Sequence, residues 1–315
     1  MKIFLMVVVS YLLFLTLSMN EANIFVDFFP SLLLLFSFPH FLVTYFIWFK
    51  RVSSWKDEWW VVLFAPLYCL LFYLSFTNHF AFINIELVLK ISYAYMLYHF
   101  AQQLFGVHCW LNGFLGFSFS GWRKSFSRFY FIFGALYFWI ELETRSGVNT
   151  LFYYPVASWP VSSAYLMFCF YLFLFMSLVE FGFIIFDFFK YKKLSRFAPL
   201  TCLGLVWVWF IPPINSKMLV WLPVLHGVQY FPFILMKLSG YGFIKKIQIG
   251  LFSVLLGWVL FRYLPFNLFS ESTIVAPFLL SLLNNHHFLI DGRIWKLRDP
   301  HNVDLRFAHA GGSGN

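Results

Sequence analysis

Five histidines stand inside apolar stretches of this chain: His40, His99, His226 and the adjacent pair His286 and His287. Hydrocarbon is a costly place for an imidazole, so an ionisable side chain within a stretch long enough to cross a membrane points to function. Neutral imidazoles delivered by four separate helices would build a metal site. A set of nitrogen ligands with at most one carboxylate and no thiolate suits Fe(II), zinc or copper. Zinc would bring hydrolysis by an activated water, yet no serine–base pair or other nucleophile accompanies these histidines. A site sunk in hydrocarbon fits a lipophilic substrate and a co-reactant that dissolves in lipid, as dioxygen does. The expected chemistry is an iron-dependent oxygenase or desaturase reaction on a lipid, isoprenoid or carotenoid. Fe(II) is the favoured cofactor, with zinc or copper as alternatives.

Each histidine has polar company on its own helix face. Ser92, Tyr95, His99, Gln103 and Gly106 follow the three-to-four-residue spacing of one stripe. His226, Gln229 and Tyr230 share a face, and Pro39-His40 has Thr44 one turn on. Asn284, Asn285, His286, His287 and Asp291 cluster within two turns. His287 and Asp291 are four apart, so the carboxylate is expected to hold that imidazole by its second nitrogen. Tyr95, Gln103, Gln229, Tyr230 and Asp291 are therefore expected to orient substrate or support the ligands. Adjacent side chains on a helix point about 100° apart, so one of His286 and His287 is expected to ligate a given metal and the other to support it. Glu180 is a reserve carboxylate, His108 is open to either role, and His79, His301 and His309 are expected to be solvated.

These side chains need membrane helices to position them. A span takes about 20 mostly apolar residues. Candidates lie near 2–20, 29–49, 59–77, 86–107, 126–141, 160–187, 197–212, 217–237, 247–265 and 273–291, an all-α polytopic bundle of about ten spans (eight to ten). Basic clusters follow every even-numbered span: Lys50 to Lys56, Arg123 to Arg128, Lys190 to Arg196, Lys245 with Lys246, and Arg293 to Arg298. Cytoplasmic loops carry such an excess, so both termini are expected in the cytoplasm. At about 1.5 Å per residue, the histidines lie roughly 14 to 20 Å below the outer ends of their spans, near the middle of the core. The stretch 108–125 reads as an extension of the fourth span or a re-entrant piece. Residues 1–292 form a single transmembrane domain, 293–310 a short basic cytoplasmic tail, and the glycine-rich 311–315 an appended linker.

Composition agrees. The 315 residues are 61% hydrophobic and 11% charged, against about 25% charged in soluble domains. The net charge of +9 sits in short clusters between apolar runs, which sets topology rather than forming a nucleic-acid groove. Cys69, Cys109, Cys169 and Cys202 are dispersed, which excludes a disulfide framework or zinc ribbon. Lys90 and Lys217 stand near span ends, unsuited to a retinal Schiff base. The expected surroundings are a lipid bilayer, in a bacterial inner membrane, with a lipophilic small molecule and an electron-donor protein as partners.

Phe38-Pro39-His40, Tyr98-His99-Phe100, His226 and His286-His287 resemble segments of the bacterial beta-carotene-cleaving dioxygenase family and, more broadly, histidine-rich membrane iron oxygenases. The resemblance covers these segments alone. It implies a multi-pass bundle, histidine-bound iron and dioxygen chemistry. Membrane fatty-acid desaturases and alkane hydroxylases instead carry several HxxxH and HxxHH boxes, where this chain has one HH pair. Two other readings use the same histidines: a metal-ion or proton-coupled transporter, and a haem b protein with two axial imidazoles. Against transport, the chain shows no internal repeat, although Pro212-Pro213 and Pro223 break it near the eighth span.

Overall fold

The computed structural model describes residues 37–52, 56, 58–77, 84–114, 121–144, 148–151, 154–191, 202, 222–238, 240–268 and 274–294. The expected span near 2–20, all but one residue of that near 197–212, the tail beyond Ile294 and its linker lie outside these residues. So do His79, His301, His309 and the side chain of Gln229.

Eight helices carry almost all of the described chain: α1 (Phe38–Arg51), α2 (Trp59–Phe76), α3 (Ile85–Phe114), α4 (Gly121–Thr144), α5 (Ser163–Tyr191), α6 (Leu222–Lys237), α7 (Phe243–Trp258) and α8 (Val275–Ile294). α3 runs unbroken to Phe114, so residues 108–114 extend the fourth expected span. Pro39 sits in the first turn of α1, where its missing N–H costs no helical hydrogen bond. α7 passes into a π-helix over Val259–Leu268.

Among the described residues the exception to helix is a two-stranded antiparallel hairpin, β1 (Val148–Leu151) and β2 (Tyr154–Ala157), with Val148 opposite Ala157. It departs from the expected all-α bundle; Pro155 is tolerated because two strands leave every strand an edge.

Among the described residues, three helices are long and apolar enough to cross a membrane: Trp59–Phe76, Ser163–Lys190 and Phe243–Leu264. They turn large apolar side chains outward, among them Leu67, Leu70, Phe168, Phe175, Leu251 and Phe252, as a hydrocarbon solvent allows. The helices carrying the histidines are different. α1, α3, α6 and α8 bury Thr44, Ser92, Gln103, Asn285 and Asp291 and lie inside the bundle, where polar groups find partners. α1 packs on α6, α7 and α8, and α8 packs on α1, α2 and α3. α4 covers α3, and α5 covers α4.

Ionic ties mark the two ends. Arg51 Nη1 donates to Ile294 O at 3.1 Å and Arg293 Nε to Glu58 Oε1 at 2.9 Å, joining the C-terminal ends of α1 and α8 to the start of α2. Arg123 Nη2 meets Asp187 Oδ2 at 2.7 Å, joining the start of α4 to the end of α5. At the other end of α3, Lys90 Nζ meets Glu143 Oε2 at 2.9 Å, and the Trp159 backbone N–H donates to the same oxygen at 2.6 Å.

Candidate metal centre

The four inner helices share a local device. Each carries a histidine followed four residues later by a polar side chain: His40 and Thr44 on α1, His99 and Gln103 on α3, His226 and Tyr230 on α6, His287 and Asp291 on α8. Positions four apart lie on one face of a helix, so each helix presents an imidazole and a supporting group to the same interior point.

The ring nitrogens converge there. His40 Nε2 lies 3.1 Å from His226 Nε2 and 3.2 Å from His287 Nε2. Asp291 Oδ2 lies 3.5 Å from the Nε2 atoms of His40 and His287 and 3.4 Å from that of His99. His40, His226, His287 and Asp291 are all buried, and their ligand atoms fall within 4.8 Å of one another. A single N–H on His40 can serve one neighbour, yet two imidazole nitrogens and a carboxylate oxygen crowd it. A shared cation satisfies all of these lone pairs at once.

The separations fit one. Ligands about 2.1 Å from an ion lie about 3.0 Å apart at a right angle and about 3.4 Å apart at the tetrahedral angle. The four nearest pairs, at 3.1 to 3.5 Å, match these values. Ligands on opposite sides of such an ion lie about 4.2 Å apart, so the 4.8 Å bound leaves only a few tenths of an ångström for closure. The buried group of three histidines and one aspartate could therefore hold a metal ion. Its nitrogen and oxygen donors are those of iron, zinc or copper sites.

Aromatic plates fix the rings. Tyr230 stacks on His40 with centroids 4.3 Å apart, Phe41 on His287 at 3.8 Å, and Phe288 on His99 at 4.2 Å. Thr44 Oγ1 donates to Asp291 Oδ1 at 3.0 Å, aiming the other carboxylate oxygen at the imidazoles. Gln103 Nε2 donates to the His226 backbone carbonyl at 3.1 Å, which ties α3 to α6 beside the cluster. Among the described residues the Nδ1 atoms of His40, His226 and His287 have no hydrogen-bond partner, and the stacked rings set the orientation of His40 and His287.

The structure distinguishes the two adjacent histidines and enlarges the part of Asp291. His286 is not in the cluster: its Nε2 lies 3.1 Å from Val61 O and its Nδ1 2.6 Å from Tyr45 Oη, because the adjacent position points to the α2 side of α8. Asp291 is more than a support for His287, since its Oδ2 takes a place among the converging ligand atoms. His99 stands at the edge, its Nε2 3.4 Å from Asp291 Oδ2, and it lines a cavity of about 690 Å³. Tyr95 and Tyr230 line the same cavity. Sequence reasoning missed Phe41 and Phe288, although each neighbours a ligand in sequence. It also assigned no site role to Lys124 and Arg128, which line the far part of the cavity. Glu180 is buried on α5, outside the cluster, and His108 is buried against Phe131.

No family model matches the chain, and no curated protein or solved structure matches it either.

Proposed function

We propose that this chain is a multi-pass membrane oxygenase or desaturase that uses an iron ion held by His40, His226, His287 and Asp291. The observation that carries the proposal is the convergence of three Nε2 atoms and one carboxylate oxygen, all buried, beside a cavity walled largely by aromatic and aliphatic side chains. An iron bound there would supply dioxygen activation for attack on a C–H or C=C bond of a lipophilic substrate. The chain's own residues do the rest. Phe41, Tyr230 and Phe288 hold the imidazoles in place, Thr44 orients the carboxylate, and Phe105, Phe233 and Phe288 keep water from the substrate channel. His99, beside Asp291 Oδ2 and lining the cavity, completes the ligand set or takes a proton from the substrate side. The likeness of His40, His99, His226 and the His286-His287 pair to the beta-carotene-cleaving dioxygenases supports the same reaction class.

Ten spans with both termini cytoplasmic belong to this proposal. The ties of Arg51 to Ile294 and Arg293 to Glu58 gather basic residues at one end of α1 and α8, as the positive-inside rule requires. The near contact of Nε2 atoms at 3.1 Å and 3.2 Å speaks against haem, whose two axial nitrogens must stand on opposite faces of a macrocycle.

Elemental analysis of the purified detergent-solubilised protein, with a visible spectrum, is the test. Near-stoichiometric iron without a Soret band supports the proposal. A Soret band refutes the ligand set. Protein free of metal after expression in metal-replete medium leaves the same histidines to ion or proton transport.

A further inference from the structure

The cavity beside the cluster ends in charge that the cluster does not use. It follows α3 from Tyr95 to Trp110, a rise of about 22 Å. His99 and Asp291 line its inner part, while Lys124 and Arg128 of α4 line the outer part, and Asp291 is the one carboxylate among the lining residues. Between them the wall is open at the backbone: Gly106 and Gly292 both line the cavity, and a Cβ at either would meet nothing within 4 Å.

One of the two cations is placed by a hydrogen bond. Arg128 Nε donates to Gln102 Oε1 at 3.0 Å, which lays the guanidinium along the α3 wall. Among the described residues the buried Gln102 amide nitrogen has no hydrogen-bond partner. α3 and α4 are antiparallel, so Arg128 beside Gln102 sets Lys124 near the level of Gly106. That level is seven residues from His99, about 10 Å along the helix or about eight carbons of an extended alkyl chain. Basic residues at the cytoplasmic end of a helix commonly only set topology; these two differ in bordering a cavity that leads to the metal ligands.

We infer that the molecule taken by this site is a single-chain amphiphile with an anionic oxygen headgroup, phosphate or carboxylate, bound by Lys124 and Arg128 with its tail laid toward His99. The identity of the reaction rests on the oxygenase reading; the headgroup preference does not. On the oxygenase reading the reacting carbons lie about eight positions from the head; with or without it, a wholly apolar hydrocarbon is a poor ligand.

Equilibrium binding of radiolabelled dodecyl phosphate to the full chain in maltoside micelles tests this. Binding should saturate at one per chain and weaken with salt. Dodecanoate should compete, whereas dodecanol should compete roughly tenfold less well. The Lys124→Gln/Arg128→Gln protein should lose the preference for the anion while keeping its metal content and helical circular dichroism. Gly106→Leu, which fills open space, should weaken both ligands. Equal competition by dodecanol, or a preference that survives in the double variant, overturns the inference. So does displacement by inorganic phosphate at the same concentration, since a free-anion site needs no tail. Metal-free protein that still prefers dodecyl phosphate keeps this inference and sinks the iron reading; metal-loaded protein without the preference does the reverse.

Discussion

Replacing Asp291 by asparagine separates a ligand from a supporting group. Asp291 Oδ1 accepts from Thr44 at 3.0 Å and Oδ2 lies 3.4 to 3.5 Å from three imidazole nitrogens. Asparagine keeps the shape and can keep the Thr44 bond through its carbonyl. It removes the negative charge and turns an N–H₂ toward His40, His99 and His287. Losing a group that merely orients a ligand weakens metal binding about 10- to 100-fold, or about 1.4 to 2.7 kcal/mol. Thr44→Val, which removes only the orienting hydrogen bond, should fall in that bracket. Asp291→Asn should exceed 100-fold, because it deletes a charged donor and adds a repelling hydrogen. Competition of purified protein with a chelator of known affinity, using Fe(II) under anaerobic conditions and Zn(II) in air, measures both. Helical circular dichroism and the elution volume report whether the variants fold. Asp291→Asn binding within tenfold of the parent, in folded protein, would falsify the assignment of Oδ2 as a ligand.

His286→Ala should leave metal content unchanged but lower thermal stability by about 1–3 kcal/mol, because Tyr45 and the Val61 carbonyl lose a buried partner; loss of metal would return His286 to the ligand set. Lys90→Met should cost about 3–5 kcal/mol, since it strands the buried Glu143 carboxylate, and Lys90→Met/Glu143→Leu should recover much of it; a neutral single variant would show that the pair is solvated. Gly257→Ala should destabilise by about 1–3 kcal/mol through overpacking. The added Cβ would meet the Cβ of Phe38 on α1, two residues before His40, so metal affinity should fall as well. Phe38→Ala should not rescue it and Phe38→Gly should; equal rescue by both would place the strain elsewhere.

The cluster was largely legible because its signal is local. A histidine four residues ahead of a polar side chain, inside an apolar helix, names both a face and a depth, and His40, His99, His226 and His287 all have it. Choosing between His286 and His287 was not possible from one helix, because the choice depends on which neighbour α8 turns to α1. Tyr45 and Val61 settle it by receiving His286. The role of Asp291 was half legible: four-residue spacing predicts contact with His287, but its approach to His40 and His99 comes from packing between helices distant in sequence. The hairpin at Val148–Ala157 was missed because its four-residue strands carry little alternation. The cavity has no sequence signature, since Lys124 and Arg128 resemble the other basic residues that follow even-numbered spans.

Hydropathy and the candidate metal centre divide the helices in opposite ways. The helices that most resemble membrane spans, α2, α5 and the α7 region, supply none of the four converging side chains. Those that supply them are made less apolar by the site itself: α8 places Asn284, Asn285, His286, His287 and Asp291 within eight residues. Such a helix is stable in a bilayer only if its polar face is satisfied by other helices. The bonds from Tyr68 to Ser281 at 2.8 Å, Tyr45 to His286 at 2.6 Å and Thr44 to Asp291 at 3.0 Å do this for α8. Its stability is therefore coupled to α1 and α2, and a ligand lost from α8 should be felt as loosened packing of both. Bound metal would act in the same direction, tying α1, α6 and α8 at one point, so that removing it should lower the melting temperature of the whole bundle rather than of one helix. A melting temperature that does not depend on metal would mean that these helices are held by their side-chain bonds alone, and that the convergence of His40, His226, His287 and Asp291 serves packing.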